Sequence, residues 1–287
     1  MNPAYAPTFA VREVVVRALA EDVGPLGDLT TALLPVPDAQ VRAAIVARAD
    51  GVLAGRQCAV EAFAQVDPSV GVVWHADDGD PVTAGRSIAI VTGPIAGILT
   101  AERTVLNLLS HLSGVATLTR RFVDALMAAA PDAGASVRDT RKTTPGLRAL
   151  EKAAVRAGGG RNHRGSLSDG ILVKDNHLAG LTIDVAVAKA RVLYPGREIE
   201  VECDSLDQVR LAALVRADLI LLDNMSPAEV ATCAAWLREA LYPGLIEVSG
   251  RVTVDNVGAY AVAGAKLVAV GALTHSAPIL DIGLDLR

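Results

Sequence analysis

The sequence predicts an α/β protein in two parts, an N-terminal α+β unit and a longer stretch of alternating strands and helices. Three observations carry this. Before Gly97, short apolar strand-like runs surround a single internal helical stretch, and strands in series, not in strict alternation with helices, indicate an α+β unit. After Pro131 the rhythm becomes strand, loop, helix, repeated, and each strand is apolar through its middle, as in a parallel sheet covered on both faces. The length, 287 residues, suits two domains or one barrel with an addition, and 51% apolar residues supply a large core.

In chain order, Thr8 is a candidate cap for a first helix with apolar positions Val11, Val14, Val15, Ala18 and Leu19, ending near Gly24. EDVGPLGDLTT then reads as a turn-rich loop. Strand-like runs follow in VRAAIVARAD, GVLAG, VGVVWHA and SIAIVTG, with RQCAVEAFAQV as the helix between them. The turn DDGDPVTAGRSIAIVTG resembles the hinge of lipoyl and biotinyl carrier domains. Those need a Lys at a hairpin tip, and none precedes Lys142, so the turn is expected to be scaffold. From Gly97 to Ala130 the pattern is helical, with Gly114 expected to divide it in two.

Six strands are expected beyond: ASVRDT, ILVKD, IEVECD, LILLD, IEVSG and KLVAVG. The helices between them carry start signals. Ser205 with Gln208 and Ser226 with Glu229 form capping boxes, Pro227 takes the first helical position, and Thr182 and Thr253 are candidate caps. Such repeats imply a parallel sheet, either an open doubly wound one or one closed into a barrel.

Composition excludes several classes. Aromatic residues make up 3% of the chain, too few for the stacking platforms that bind single-stranded nucleic acid. No uncharged apolar run approaches the ~18 residues of a membrane span. Arg12, Glu13 and Arg17 interrupt the N-terminal segment, which is therefore not expected to be a signal peptide. Cys58, Cys203 and Cys233 form no CxxC pair, which suggests reduced thiols in a cytoplasmic protein.

Charge concentrates in one place. Between Arg138 and His177 stand nine Lys and Arg against four Asp and Glu, about +5, within a chain of −5. A basic concentration in an acidic protein points to small anionic ligands. In parallel α/β folds, chemistry gathers at the C-terminal ends of strands. Those ends read Asp139 with Arg141 and Lys142; Lys174 with Asp175; Glu202 with Asp204; Asp223; Ser249 with Gly250; and Gly271. Helix capping explains Asp204 and Ser205, but not Lys174, Glu202 or Asp223. The last two ends resemble the phosphate site of barrels, where glycine lets backbone N–H groups approach. Glu202 and Asp223 face a basic wall of Arg141, Lys142, Arg164 and Lys174. Acids beside a diphosphate usually work through Mg²⁺, and Arg offers planar two-point contacts to carboxylates. The set therefore fits phosphoribosyl pyrophosphate and a dicarboxylate.

DTRKTTPGLR, GGGRNHR and LVKDNH, in that order and spacing, resemble the quinolinate phosphoribosyltransferases. The likeness extends from EDVGPLGDLTT through ERTVLNLLSHLSG to VGALTHS. It implies an N-terminal α/β sandwich domain (1–113), a TIM-like, incomplete seven-stranded α/β barrel (114–275) and a tail (276–287) returning to the first domain. It implies transfer of phosphoribosyl from phosphoribosyl pyrophosphate to quinolinate, with decarboxylation to nicotinate mononucleotide in NAD biosynthesis. By resemblance, Arg103, Arg141, His163, Arg164 and Lys174 contact the dicarboxylate. Lys142, Glu202, Asp223, Ser249, Gly250, Gly271 and His275 contact the phosphoribosyl group, in a substrate lining that also takes in Thr140, Arg251, Val270 and Ala272. Lys142, Glu202 and Asp223 are the catalytic candidates. Glu202 and Asp223 are the candidates to hold Mg²⁺, through water or the diphosphate. Arg251 is a departure, because relatives often carry SGG or SGN where this chain has SGR; it either adds a phosphate contact or points into solvent. The matching arginine of relatives enters the partner's site, so Arg103 implies a homodimer with shared sites. Neither nucleic acid nor membrane is an expected partner.

His75 and His111 match no motif end and are expected to be ordinary polar or packed residues. His177 is expected to orient the KDNH turn. Arg148, Lys152 and Arg156, spaced by four, are expected to share one exposed helix face. Rival readings are a Schiff-base aldolase using Lys174, a molybdenum-associated or nicotinate-specific paralogue, and a non-catalytic anion-binding barrel.

Overall fold

The computed structural model describes residues 5–287. They form two compact units, one of residues 5–120, 142–159 and 272–287, the other of 121–141 and 160–271.

The first unit opens with α1 (Thr8–Val23), which buries Val11, Val15 and Leu19, four residues apart, and stops at Gly24. Thr8 is not its cap. It is already helical, Pro7 holds the N-cap position, and no side chain bonds the end; the Pro7 carbonyl accepts from Ala10 and Val11 N–H instead. Next come β1 (Gln40–Ala47), β2 (Gly51–Val52), α2 (Arg56–Val66), β3 (Gly71–Trp74), β4 (Pro81–Val82) and β5 (Ser87–Pro94). The strand-like runs and the helix between them stand where the sequence places them. β1 carries five consecutive buried residues at its end, so both of its faces are covered there.

α3 (Ile95–Ala129) is one helix of 35 residues. Gly114 does not divide it. A Cβ there would lie 2.1 Å from the Pro278 carbonyl oxygen and 3.0 Å from Ile279 Cα, so glycine permits a close backbone approach, not a break.

β6 (Ser136–Arg138) lies in the second unit and α4 (Arg148–Ala157) in the first. The second unit continues with β7 (Ile171–Val173), α5 (Ile183–Leu193), β8 (Ile199–Cys203), α6 (Leu206–Leu214), β9 (Leu219–Asp223), α7 (Pro227–Glu239), β10 (Leu245–Ser249), α8 (Val257–Val262) and β11 (Leu267–Ala269). All six strands are parallel, in the order β6-β11-β10-β9-β8-β7. A parallel bridge from Arg161 to Arg138 adds a seventh position beside β6. The sheet is curled: Arg138 on β6 bonds Glu247 on β10, with β11 between, and His163 just past the bridge reaches Glu200 on β8. The expected incomplete, barrel-like sheet is therefore present.

α7 has its capping box: Ser226 Oγ accepts from Glu229 N–H and Glu229 Oε2 from Ser226 N–H, with Pro227 following. The other expected caps differ. Ser205 and Thr182 hold N-cap positions without a side-chain bond, and Gln208 instead accepts from Asp204 N–H at 2.8 Å. At α8 the N-cap is Asn256, whose Oδ1 accepts from Thr253 N–H at 2.7 Å.

α9 (Ala272–His275) and β12 (Ile282–Leu286) complete the first unit. β12 pairs antiparallel with β1, giving a four-stranded sheet of order β12-β1-β5-β3.

Candidate active site

The second unit presents its charged residues where strands end. Asp223 closes β9, Ser249 closes β10, Glu202 is the penultimate residue of β8, Lys174 follows β7, and Asp139 follows β6. Asp139 is internal. It is fully buried and accepts from Asn162 Nδ2 at 2.5 Å and from His163 N–H at 2.8 Å. It ties the RKT segment to the NHR segment, so its work is structural.

His163 is also tied on both sides. Its Nδ1 accepts from Arg164 N–H at 2.7 Å, and its Nε2 lies 3.0 Å from Glu200 and 3.7 Å from Glu247. Burial, the leading cause, pushes both glutamates up to about 7. Arg164 donates to the Gly170 carbonyl at 3.0 Å. Burial first, and then the guanidinium of Arg141, pull the Arg164 pKa down.

Lys174 Nζ pairs with Glu202, and the Lys174 backbone N–H donates to His177 Nδ1 at 3.0 Å. His177 thus orients its turn, as expected. Asp223 accepts from Ser249 Oγ at 2.5 Å and from Asn224 Nδ2 at 2.6 Å, so the ends of β9 and β10 form one hydrogen-bonded patch. Gly250 and Arg251 follow with φ of 86° and 49°. A Cβ on Gly250 would meet Asn224 Oδ1 at 2.3 Å, which requires glycine there. Position 251 has a left-handed backbone that Gly and Asn adopt readily and Arg does not. The Arg251 residue is exposed, and its carbonyl accepts from Asn256 Nδ2 at 3.1 Å. Val270 is buried and its N–H donates to the Arg138 carbonyl at 2.9 Å. Thr140 is half-buried, and Gly271 closes the second unit.

Arg103, Lys142, Ala272 and His275 belong to the first unit. Arg103 is exposed on α3 while Val105, Leu106 and Leu109 beside it are buried. Lys142 is exposed, and its carbonyl accepts from Thr274 Oγ1 at 2.7 Å. His275 Nδ1 lies 2.6 Å from Ser276 Oγ.

His111 is a packed residue, half-buried, with its Nε2 2.8 Å from the fully buried Glu151 carboxylate. One expectation is corrected. Arg148, Lys152 and Arg156 do not share an exposed face. Lys152 is buried, Arg148 Nε donates to Thr143 Oγ1, and Arg156 donates to the carbonyls of Lys152 and Tyr5. Their packing surface comes from elements distant in sequence. Glu200 and Glu247 were not singled out either. The available signal was an acid alternating with apolar neighbours inside a strand pattern, as in IEVEC and IEVSG.

The oxygen donors fit a hard cation. Glu202 and Asp223 stand at the ends of neighbouring strands, and each carboxylate keeps lone pairs beyond the bonds just described. His163, Glu200 and Glu247 also gather ligand atoms, but the Arg138 guanidinium already occupies Glu247. Cys58, Cys203 and Cys233 are buried free thiols, and no helix among the described residues is long and apolar enough to cross a membrane.

Comparison with known proteins agrees with this layout. The family described as quinolinate phosphoribosyl transferase, C-terminal domain, matches residues 115–285, and its N-terminal domain matches residues 28–113. A nicotinate-nucleotide pyrophosphorylase [carboxylating] of Mycobacterium leprae is 43% identical over 282 residues, covering 96% of this chain and 97% of its own. A probable one of Bacillus subtilis is 43% identical over 270 residues, covering 93% and 90%. The solved nicotinate-nucleotide pyrophosphorylase of Francisella tularensis superposes with a TM-score of 0.91 at 35% identity, over 99% of this chain and 98% of its own. The chain, an enzyme by this kinship, belongs to the quinolinate phosphoribosyltransferase family.

Proposed function

We propose that the protein transfers the phosphoribosyl group of phosphoribosyl pyrophosphate to quinolinate, with loss of CO₂, in NAD biosynthesis. The observation that carries this is the set of charged and glycine residues at the ends of one parallel sheet: Lys174 paired with Glu202 after β7 and β8, and Asp223 bonded to Ser249 beside Gly250 after β9 and β10.

The quinolinate nitrogen carries no proton, so its attack on ribose C1 needs no general base. The new N–C bond forms as the C–O bond to pyrophosphate breaks, through an oxocarbenium-like state. The ring nitrogen becomes cationic and stabilises the electron pair left when the adjacent carboxylate departs as CO₂; a proton then takes that ring position, giving nicotinate mononucleotide. Arg141, Arg164 and Lys174 hold the two carboxylates. Lys142 faces the departing pyrophosphate. Glu202 and Asp223 are the residues that would hold Mg²⁺, through water or the diphosphate, and such an ion would supply charge neutralisation for the leaving group. The chain's own work is to hold two polyanions together in reacting geometry.

The protein acts in the cytoplasm as a homodimer, with Arg103 reaching the partner's site. Its exposure beside a buried apolar stripe supports this. The deciding experiment supplies quinolinate, phosphoribosyl pyrophosphate and Mg²⁺ and follows the products. Nicotinate mononucleotide, pyrophosphate and CO₂ in equal amounts support the reading. Turnover of nicotinate alone moves the chain to a paralogue, and binding without pyrophosphate release makes it a non-catalytic anion-binding barrel.

A further inference from the structure

Lys142 sits in irregular backbone between β6 and α4, where no helix or sheet ladder restrains it. The segment after it is instead held by side chains of the first unit. Thr274 Oγ1 donates to the Lys142 carbonyl at 2.7 Å, Arg148 Nε to Thr143 Oγ1 at 3.0 Å, and Thr144 N–H to Glu151 Oε2 at 3.1 Å.

The third anchor is the unusual one. Glu151 lies on α4 with no solvent exposure, and its other oxygen, Oε1, lies 2.8 Å from His111 Nε2 on α3. A carboxylate withdrawn from water is costly unless its oxygens are hydrogen-bonded. An apolar side chain would fill the same helical position without that cost, as Leu150 and Val155 do nearby. The charge is accounted for by what it holds: one backbone N–H of the Lys142 segment and one imidazole that sets the carboxylate plane. Gly146 then turns the chain with φ of 83° toward α4, and Leu147 N–H donates to the Thr144 carbonyl at 3.0 Å across that turn.

We propose that Glu151, oriented by His111, is a positioning residue that fixes the Lys142–Thr144 backbone and so aims Lys142 at the departing pyrophosphate. This rests on the functional reading above, which gives Lys142 that role. The pair acts through the backbone and touches no substrate. Its loss weakens the diphosphate end and leaves quinolinate binding alone.

The test is a double-mutant cycle read by calorimetry of Mg²⁺-pyrophosphate binding, with quinolinate binding measured beside it. Glu151→Leu in the wild-type background is expected to weaken pyrophosphate affinity by about 10–100-fold, the usual cost of removing an orienting partner. Quinolinate affinity stays unchanged. In a Lys142→Met background the same substitution is expected to cost nothing further, because the group it aims is gone. Glu151→Gln keeps an oxygen for Thr144 N–H and an amide to meet His111, and so restores most of the affinity. His111→Leu removes the imidazole that orients Glu151, from the half-buried end of the pair, and carries the same cycle if Glu151→Leu fails to fold. Equal losses with and without Lys142, or quinolinate affinity falling in step with pyrophosphate, overturn the inference. A wild-type protein that binds no pyrophosphate overturns the functional reading itself.

Discussion

Arg138 Nη1 donates to Glu247 Oε2 at 2.5 Å, joining β6 to β10 across the intervening β11. Next-nearest strands of a flat sheet lie about 10 Å apart, so the bond exists because the sheet curls and points both side chains inward. The Glu247 side chain has no exposure and that of Arg138 only 12%. Removing one partner of a buried ion pair strands a charge, while removing both can be nearly neutral. Arg138→Leu is therefore expected to cost about 3–5 kcal/mol in urea unfolding. Adding Glu247→Leu should recover much of that. A double variant no more stable than the single one would show that the pair does not carry the closure.

The same interior sets a pH dependence. Glu200 and Glu247 rise from 4.5 to about 7, chiefly through burial. Below 4.5 folded and unfolded carboxyls are both protonated, and the full contribution to stability is present. Between these values the unfolded chain ionises first, so stability falls as pH rises through about 7 and is level above it. Melting temperatures at pH 5 and pH 8 should therefore differ more for the wild type than for Glu247→Gln. An identical slope in the two proteins would contradict this.

Nicotinate should be a poor substrate beside quinolinate. By the functional reading Arg141, Arg164 and Lys174 serve two carboxylates, and an acid with one carboxylate leaves part of that set unmatched. The penalty of about 1–3 kcal/mol for a buried unsatisfied polar group corresponds to about 5- to 150-fold in kcat/KM. Comparable kcat/KM for the two acids would refute the dicarboxylate assignment.

Glu202→Gln and Asp223→Asn should act at the diphosphate end. Each is expected to lower kcat/KM for phosphoribosyl pyrophosphate by about 10–100-fold and to alter the Mg²⁺ dependence. Quinolinate affinity measured alone should move far less. Glu202 pairs with Lys174, so a small change there is expected for Glu202→Gln and none for Asp223→Asn. Lost quinolinate binding with an intact Mg²⁺ response would reverse the assignment.

Shared sites in a twofold dimer predict complementation. Arg103→Ala and Lys174→Ala are each expected to be inactive. After subunit exchange a mixed dimer has one intact site, and random mixing should return about a quarter of wild-type activity. No recovery after confirmed exchange would place Arg103 in its own subunit's site or in none.

Much of this was legible from local pattern. The six parallel strands, α2 and the capping box at Ser226 follow from periodicity and turn chemistry within a few residues, and the structure has them there. That Lys174, Glu202, Asp223 and Ser249 stand at strand ends was legible for the same reason: a parallel strand puts its last residue at one known edge. What stayed hidden depends on surfaces brought together from far along the chain. Gly114 reads as a helix break until Pro278 is seen against it. Arg148, Lys152 and Arg156 read as a solvated face until Lys152 is seen buried and Arg156 bonded to the Tyr5 carbonyl. His111 and Glu151 are 40 positions apart, and their bond exists only where α3 and α4 pack. Whether a polar residue is buried, and which group then satisfies it, is a property of the closed interior. Helical or strand periodicity tells which face turns inward, but not which distant atom waits there.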